Sequence, residues 1–190
     1  MAEPVQRPAR KSVIGRPRPG QYLAMGVIGG FLAGVAFIAL TSWFATTMGM
    51  ARLAPFRLIA SIIQGPEAAA SGTADIWLGM VVHSVLAAVF GLAFALVTVG
   101  IRSAILVALA GPLFGAIVYI VNFQVLARLF EQFSAFRGVN QPFEATVHLV
   151  YGALTALLLL IAARRDAGLK APYARRSADT THEGDERRAT

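Results

Sequence analysis

Pro19 to Ala51 reads PGQYLAMGVIGGFLAGVAFIALTSWFATTMGMA, 33 residues between Arg18 and Arg52 without one charged side chain. About 20 apolar residues in a helix cross the hydrocarbon core of a bilayer. No soluble fold needs so long a stretch free of charge. The pattern then recurs: 26 uncharged residues separate Asp75 from Arg102, 25 separate Arg102 from Arg128, and 19 separate Glu144 from Arg164. The reading is an all-α integral membrane four-helix bundle. Its spans are expected at 22–46, 76–99, 103–125 and 145–163, within one transmembrane domain, 22–163.

Composition agrees over the whole chain. Apolar residues make up 56% of the 190 and charged residues 14%, against about a quarter charged in an ordinary globular domain. Mean hydropathy is +0.63. A soluble enzyme and a secreted disulfide scaffold are excluded on these grounds. The chain has no cysteine, which removes thiol catalysis, thiolate metal sites and disulfides together.

The net charge of +7 raises the question of nucleic acid, but the positions of the basic residues answer it. Five precede the first span and seven follow the last, in tails 1–21 and 164–190 that read as disordered. Basic flanks of this kind set topology and touch anionic lipid headgroups; no nucleic-acid motif accompanies them. With Arg102, the tails and the middle turn hold thirteen basic residues, and the long loops hold only Arg52, Arg57, Arg128 and Arg137. Both termini are therefore expected in the cytoplasm. The first apolar run is too long for a signal-peptide core, so it reads as a retained helix.

Between the spans, residues 56–64 read as a short interfacial helix, being too few to cross. The brief turn at Gly100–Arg102 predicts that spans two and three lie side by side and antiparallel. Gly111-Pro112 predicts a bend within span three, because proline removes a backbone donor and crowds the preceding turn. Residues 127–143 read as an amphipathic loop, with Pro142 suited to start span four and Arg164-Arg165 to end it.

The second half resembles the first. Gly30 and Gly34 precede Thr41 as Gly111 and Gly115 precede Asn122, and His83-x-x-x-Ala87 matches His148-x-x-x-Gly152. Two spans per unit would make this a parallel repeat. Small residues every fourth position let backbones approach closely where lipid offers no hydrophobic drive. Gly26, Gly30 and Gly34 form such a ridge on span one, a row through Gly79, His83 and Gly91 another on span two, Gly111 and Gly115 sit on span three, and Gly152 on span four. These positions predict packing within the bundle or between protomers of a homo-oligomer.

Polar groups inside a membrane are costly and each calls for an account. His83 and His148 are the only histidines within spans, about 10 Å and 5 Å below the outer surface by helical rise. Asn122, Ser42 and Thr46 fall in the same layer, and Glu144, four residues before His148, can pair with it. Three uses of His83, Asn122, Glu144 and His148 are open: hydrogen bonds that fix helix register, an outward vestibule for a proton or cation, or a haem or metal site. No cofactor is called for by any motif, and no nucleophile–base pair, P-loop or dinucleotide fingerprint marks an enzyme.

Trp77-x-Gly79-x-x-x-His83, the glycine-rich third span, and His148-Leu-Val-Tyr-Gly152 leading into Arg164-Arg165-Asp166 resemble the uncharacterised bacterial four-span inner-membrane proteins of the YagU-like type. The resemblance implies a bacterial cytoplasmic membrane, no established catalytic activity, and an accessory role linked to stress, acid stress in particular. A membrane protein partner would fit such a role.

Overall fold

The computed structural model describes residues 17–186, with side chains to 166, so the expectation for residues 1–16 and for the last four lies outside the described residues. Everything described is helix or short connection, with no strand among the described residues. Four helices are long and apolar enough to cross a membrane. They are α1 (Pro19–Thr47), α4 (Ile76–Thr98), α5 (Ala104–Tyr119, continued by further turns to Leu129) and α7, whose apolar part is Gln141–Asp166. The short α2 (Ala54–Gln64) and α3 (Pro66–Ala70) fill the first long connection. Large apolar side chains point outward along every long helix, as with Ile105 at 72% exposure and Leu109 at 66%. That distribution suits a hydrocarbon solvent and no aqueous one.

Local chemistry starts the helices. Asp75 Oδ1 accepts from the backbone N–H of Trp77 at 2.7 Å and of Leu78 at 3.1 Å, placing a carboxylate at the N-terminus of α4. Ser103 caps α5 and Asn140 caps α7 in the same manner. Gly65, at φ +87°, closes α2 in a conformation that other residues avoid, and Pro66 follows.

Several expectations are corrected. Span three was expected as an α-helix to 125 with a bend at Gly111-Pro112; α5 holds Pro112 within it and then widens into a π segment, Ile120–Leu126. Its cause is visible in the side chains. Gln124 Nε2 donates to Tyr119 Oη at 2.8 Å, and residues five apart share a face only where the turn is widened. The stretch 127–143 is not a loop: α6 (Ala127–Leu129) and a 3₁₀ helix (Glu131–Gly138) occupy it, and α7 begins at Gln141. Gln141 Nε2 binds the Phe136 carbonyl at 2.9 Å and its Oε1 accepts from Tyr119, so polar side chains pin this connection to the bundle. Helical backbone also continues past Arg164-Arg165 to Glu186.

The largest correction concerns neighbours. α1 packs on both α4 and α7, and α7 packs on α5, whereas α4 and α5 scarcely touch despite the short turn joining them. Glycine decides this. A methyl at position 30 would lie 2.6 Å from the Ala87 carbonyl oxygen, and a methyl at 111 would lie 2.6 Å from that of Gly152. Gly34 faces Ala87 and His83, as Gly115 faces His148 and Leu149. The α1·α4 and α5·α7 contacts thus recur in one register. Gly29 closes the α1·α7 seam against Leu158, Thr155 and Leu159. The corresponding seam between α4 and α5 has Ala110 for Gly29, and Phe90 and Phe94 for Thr155 and Leu159, at the same spacings after the histidine. Phe94 meets Phe114 with ring centroids 5.4 Å apart, and those rings hold the backbones away from each other. Gly79, read as part of a ridge between spans, instead takes the backbone of Phe56 in α2.

At the end of the bundle that carries the turn 99–103, Tyr22, Phe94, Val107 and Leu159 form a buried cluster, with the Tyr22 hydroxyl 3.2 Å from Thr98 Oγ1. Thr98→Val removes this interhelical hydrogen bond. It is expected to cost about 0.6 kcal/mol in a reversible unfolding titration in mixed micelles.

Candidate functional site

The open seam between α4 and α5 becomes a cavity of about 620 Å³ in the half of the bundle nearest the long connections. Its side walls are α4, from Val81 to Phe90, and α5 with its π segment, from Val118 to Leu126. Phe37 and Thr41 of α1, with Glu144, His148 and Tyr151 of α7, make the back wall. Leu58 and Ile62 of α2 and Phe133 and Phe136 of the 3₁₀ helix cover the end. The front is different: Val81, Val85 and Val121 line it and are themselves exposed. The volume falls within the usual range for small-molecule sites.

All four residues expected in a polar layer, His83, Asn122, Glu144 and His148, line this one cavity. Sequence spacing placed them at one depth, and the fold supplies the common wall. Asn122 arrives from the π segment, a helix form frequent at functional sites. Ser42 and Thr46 are not in the lining; Thr41 is, with Tyr151.

Proton directions follow from the partners. His83 Nε2 lies 2.9 Å from the Gly34 carbonyl oxygen, and His148 Nδ1 lies 2.7 Å from that of Glu144. A carbonyl oxygen only accepts, so each ring donates there. His83 thus bonds a neighbouring helix, as expected; His148 bonds its own. The expected Glu144–His148 side-chain pair is present at 3.9 Å, an ion-pair distance longer than a hydrogen bond. The Tyr151 hydroxyl donates to the Ala87 carbonyl at 2.9 Å, and Thr41 donates to the carbonyls of Phe37 and Ile38.

The Phe37 ring packs against both imidazoles, stacked near His83 at 5.9 Å between centroids and edge-on to His148 at 4.8 Å. Phe123 adds an edge contact to His148 at 5.2 Å. Among the described residues no three His, Cys, Asp or Glu side chains come together as a metal-ligand set. The packing glycines are all placed at interfaces: Gly26, Gly30, Gly34 and Gly91 between α1 and α4, and Gly111, Gly115 and Gly152 between α5 and α7.

The residues that sequence reasoning missed are Thr41, Tyr151's donor role, and the Gln124–Gln141 pair that shapes the π segment. Thr41 was visible as the repeat counterpart of Asn122. The Gln124–Gln141 contact carried no signal, because its two residues lie on different helices and Gln141 also binds the 3₁₀ turn at Phe136. Compared with family models, curated proteins and solved structures, the chain matches none.

Proposed function

We propose that this chain is a non-enzymatic accessory protein of a bacterial cytoplasmic membrane that takes up and holds one amphiphile dissolved in the bilayer. The four spans form a bundle of two tandem two-helix repeats with both termini in the cytoplasm, so the cavity lies in the outer leaflet. The observation that carries this reading is the cavity itself, apolar and lined by the exposed Val81, Val85 and Val121, with His83, Asn122, Glu144 and His148 among its few polar side chains. Water gains little from so apolar a space at hydrocarbon depth, whereas an amphiphile fills it without leaving the membrane. A conduction path would have to continue through Phe94, Val107 and Leu159, which are fully buried and packed together. That favours holding over conduction. The recurrence of the glycine contacts supports the repeat, and the YagU-like resemblance supports the accessory, stress-related role.

Purification in native-membrane nanodiscs, followed by solvent extraction and mass spectrometry, tests this. One compound class is expected at near one copy per chain. Leu86→Trp, which fills the cavity from α4, is expected to deplete it at least tenfold. Equal content in the variant, or bulk lipid alone in both, would overturn the reading.

A further inference from the structure

The direction of every assigned proton around the cavity leads to one ligand chemistry. His83 and His148 each spend a ring N–H on a backbone carbonyl, so a neutral ring presents a lone pair at its other nitrogen. Tyr151 and Thr41 likewise donate into the protein and leave oxygens that accept. Glu144 adds a carboxyl group that stands 3.9 Å from His148 Nδ1, at ion-pair rather than hydrogen-bond distance, and so keeps acceptor capacity for a ligand. The lining contains no lysine or arginine. Arg57, the nearest basic residue in the covering helix, holds the carbonyls of Gly72 and Ala74 with its guanidinium. Among the lining groups whose protons are assigned, only the Asn122 amide is left to offer one.

A wall of acceptors rejects phosphate headgroups, which need cations or donors, and gives little to a ligand that itself only accepts. It suits a donor or a positive charge. The same walls bring Phe37, Phe90, Phe123, Phe136 and Tyr151 to the cavity, and the faces of such rings attract cations most strongly when water is excluded. We infer that the amphiphile is a lipophilic organic cation, an ammonium or aromatic cation on an apolar body, paired with Glu144 and seated among these rings. It enters from the lipid between Val85 and Val121. This inference rests on the lateral cavity being a binding site, and deepens it.

The test is equilibrium binding of radiolabelled tetraphenylphosphonium, with uncharged tetraphenylmethane as its shape control, to the full chain in phosphatidylcholine nanodiscs. Wild type is expected to bind the cation, with Glu144→Gln at least tenfold weaker and Glu144→Asp in between. Tetraphenylmethane binding is expected to be weak and the same in all three. Cation binding unchanged in Glu144→Gln, or absent in wild type, overturns the inference. If a native neutral amphiphile is nevertheless recovered and Leu86→Trp depletes it, the binding function stands and only the cation assignment falls. Should Glu144→Gln fail to elute as a monodisperse species, Phe123→Leu serves instead. It keeps the carboxyl group and removes a ring, and a severalfold loss confined to the cation is the supporting result; equal loss of both probes refutes it.

Discussion

Gly91→Ala is expected to lower the stability of the folded chain by about 1–3 kcal/mol, and Gly152→Ala by a similar amount. Both substitutions add a single methyl group to an apolar helix, a change that would ordinarily favour helix formation. Here the methyl has nowhere to go. At position 91 it would lie 2.7 Å from Gly30 Cα and press on the Gly26 carbonyl; at 152 it would lie 2.8 Å from the Gly115 nitrogen. Those neighbours are backbone atoms of rigid helices, so relief requires the helices to part. Parting also forfeits the close dispersion contacts that hold helices together in lipid. Gly20→Ala provides the contrast, since nothing lies within 4 Å of a methyl there. It is expected to be neutral or to stabilise by about 0.5 kcal/mol. Unfolding curves in mixed micelles, followed through Trp43 and Trp77 fluorescence, would check all three. Equal midpoints for Gly91→Ala and Gly20→Ala would sink the account of helix pairing.

The glycine ridges were legible in the sequence because they are local: a repeat every fourth residue on one helix face is a statement about that helix alone. So were the four apolar helices, whose charge-free stretches are bounded by Arg18, Arg102 and Arg164. The order of helices in space was not. A short turn at Gly100–Arg102 argued for contact between α4 and α5, yet each has a better partner across a glycine seam. Side-chain bulk at Phe90 and Phe94 outweighed connection length.

The polar layer was legible as a depth, since helical rise converts residue number into distance along the membrane normal. Its meaning lay in rotation about each helix axis, which the sequence leaves undetermined when a helix is apolar all round. Asn122 faces the cavity through a π segment, and no periodicity based on 3.6 residues per turn anticipates its direction. His148 was easier to read. Its spacing from Glu144 suggested a side-chain pair, which stands at 3.9 Å, while the backbone carbonyl one turn back is nearer and takes the proton.

Phe90→Thr combined with Phe94→Leu is expected to close the cavity. The pair writes into α4 the residues that α7 carries at the matching places, Thr155 and Leu159, where the α1·α7 seam is shut. Two outcomes compete. If the backbones stay where they are, loss of a fully buried Phe94 and a half-buried Phe90 leaves a void costing about 3–5 kcal/mol for the larger truncation alone. If α4 and α5 move together, new contacts offset much of that loss, and the space for a ligand disappears. The second outcome is expected because Ala110, packed against the cluster that holds Phe94, is small enough to permit approach. Cysteines at Val85 and Val121, on the two lips of the opening, report the difference directly: oxidative cross-linking is expected to be at least tenfold faster in the double variant, with bound amphiphile falling in step. Unchanged cross-linking together with full ligand content would mean that the seam is held open by something other than these two rings, and the physical origin assigned to the cavity would be wrong.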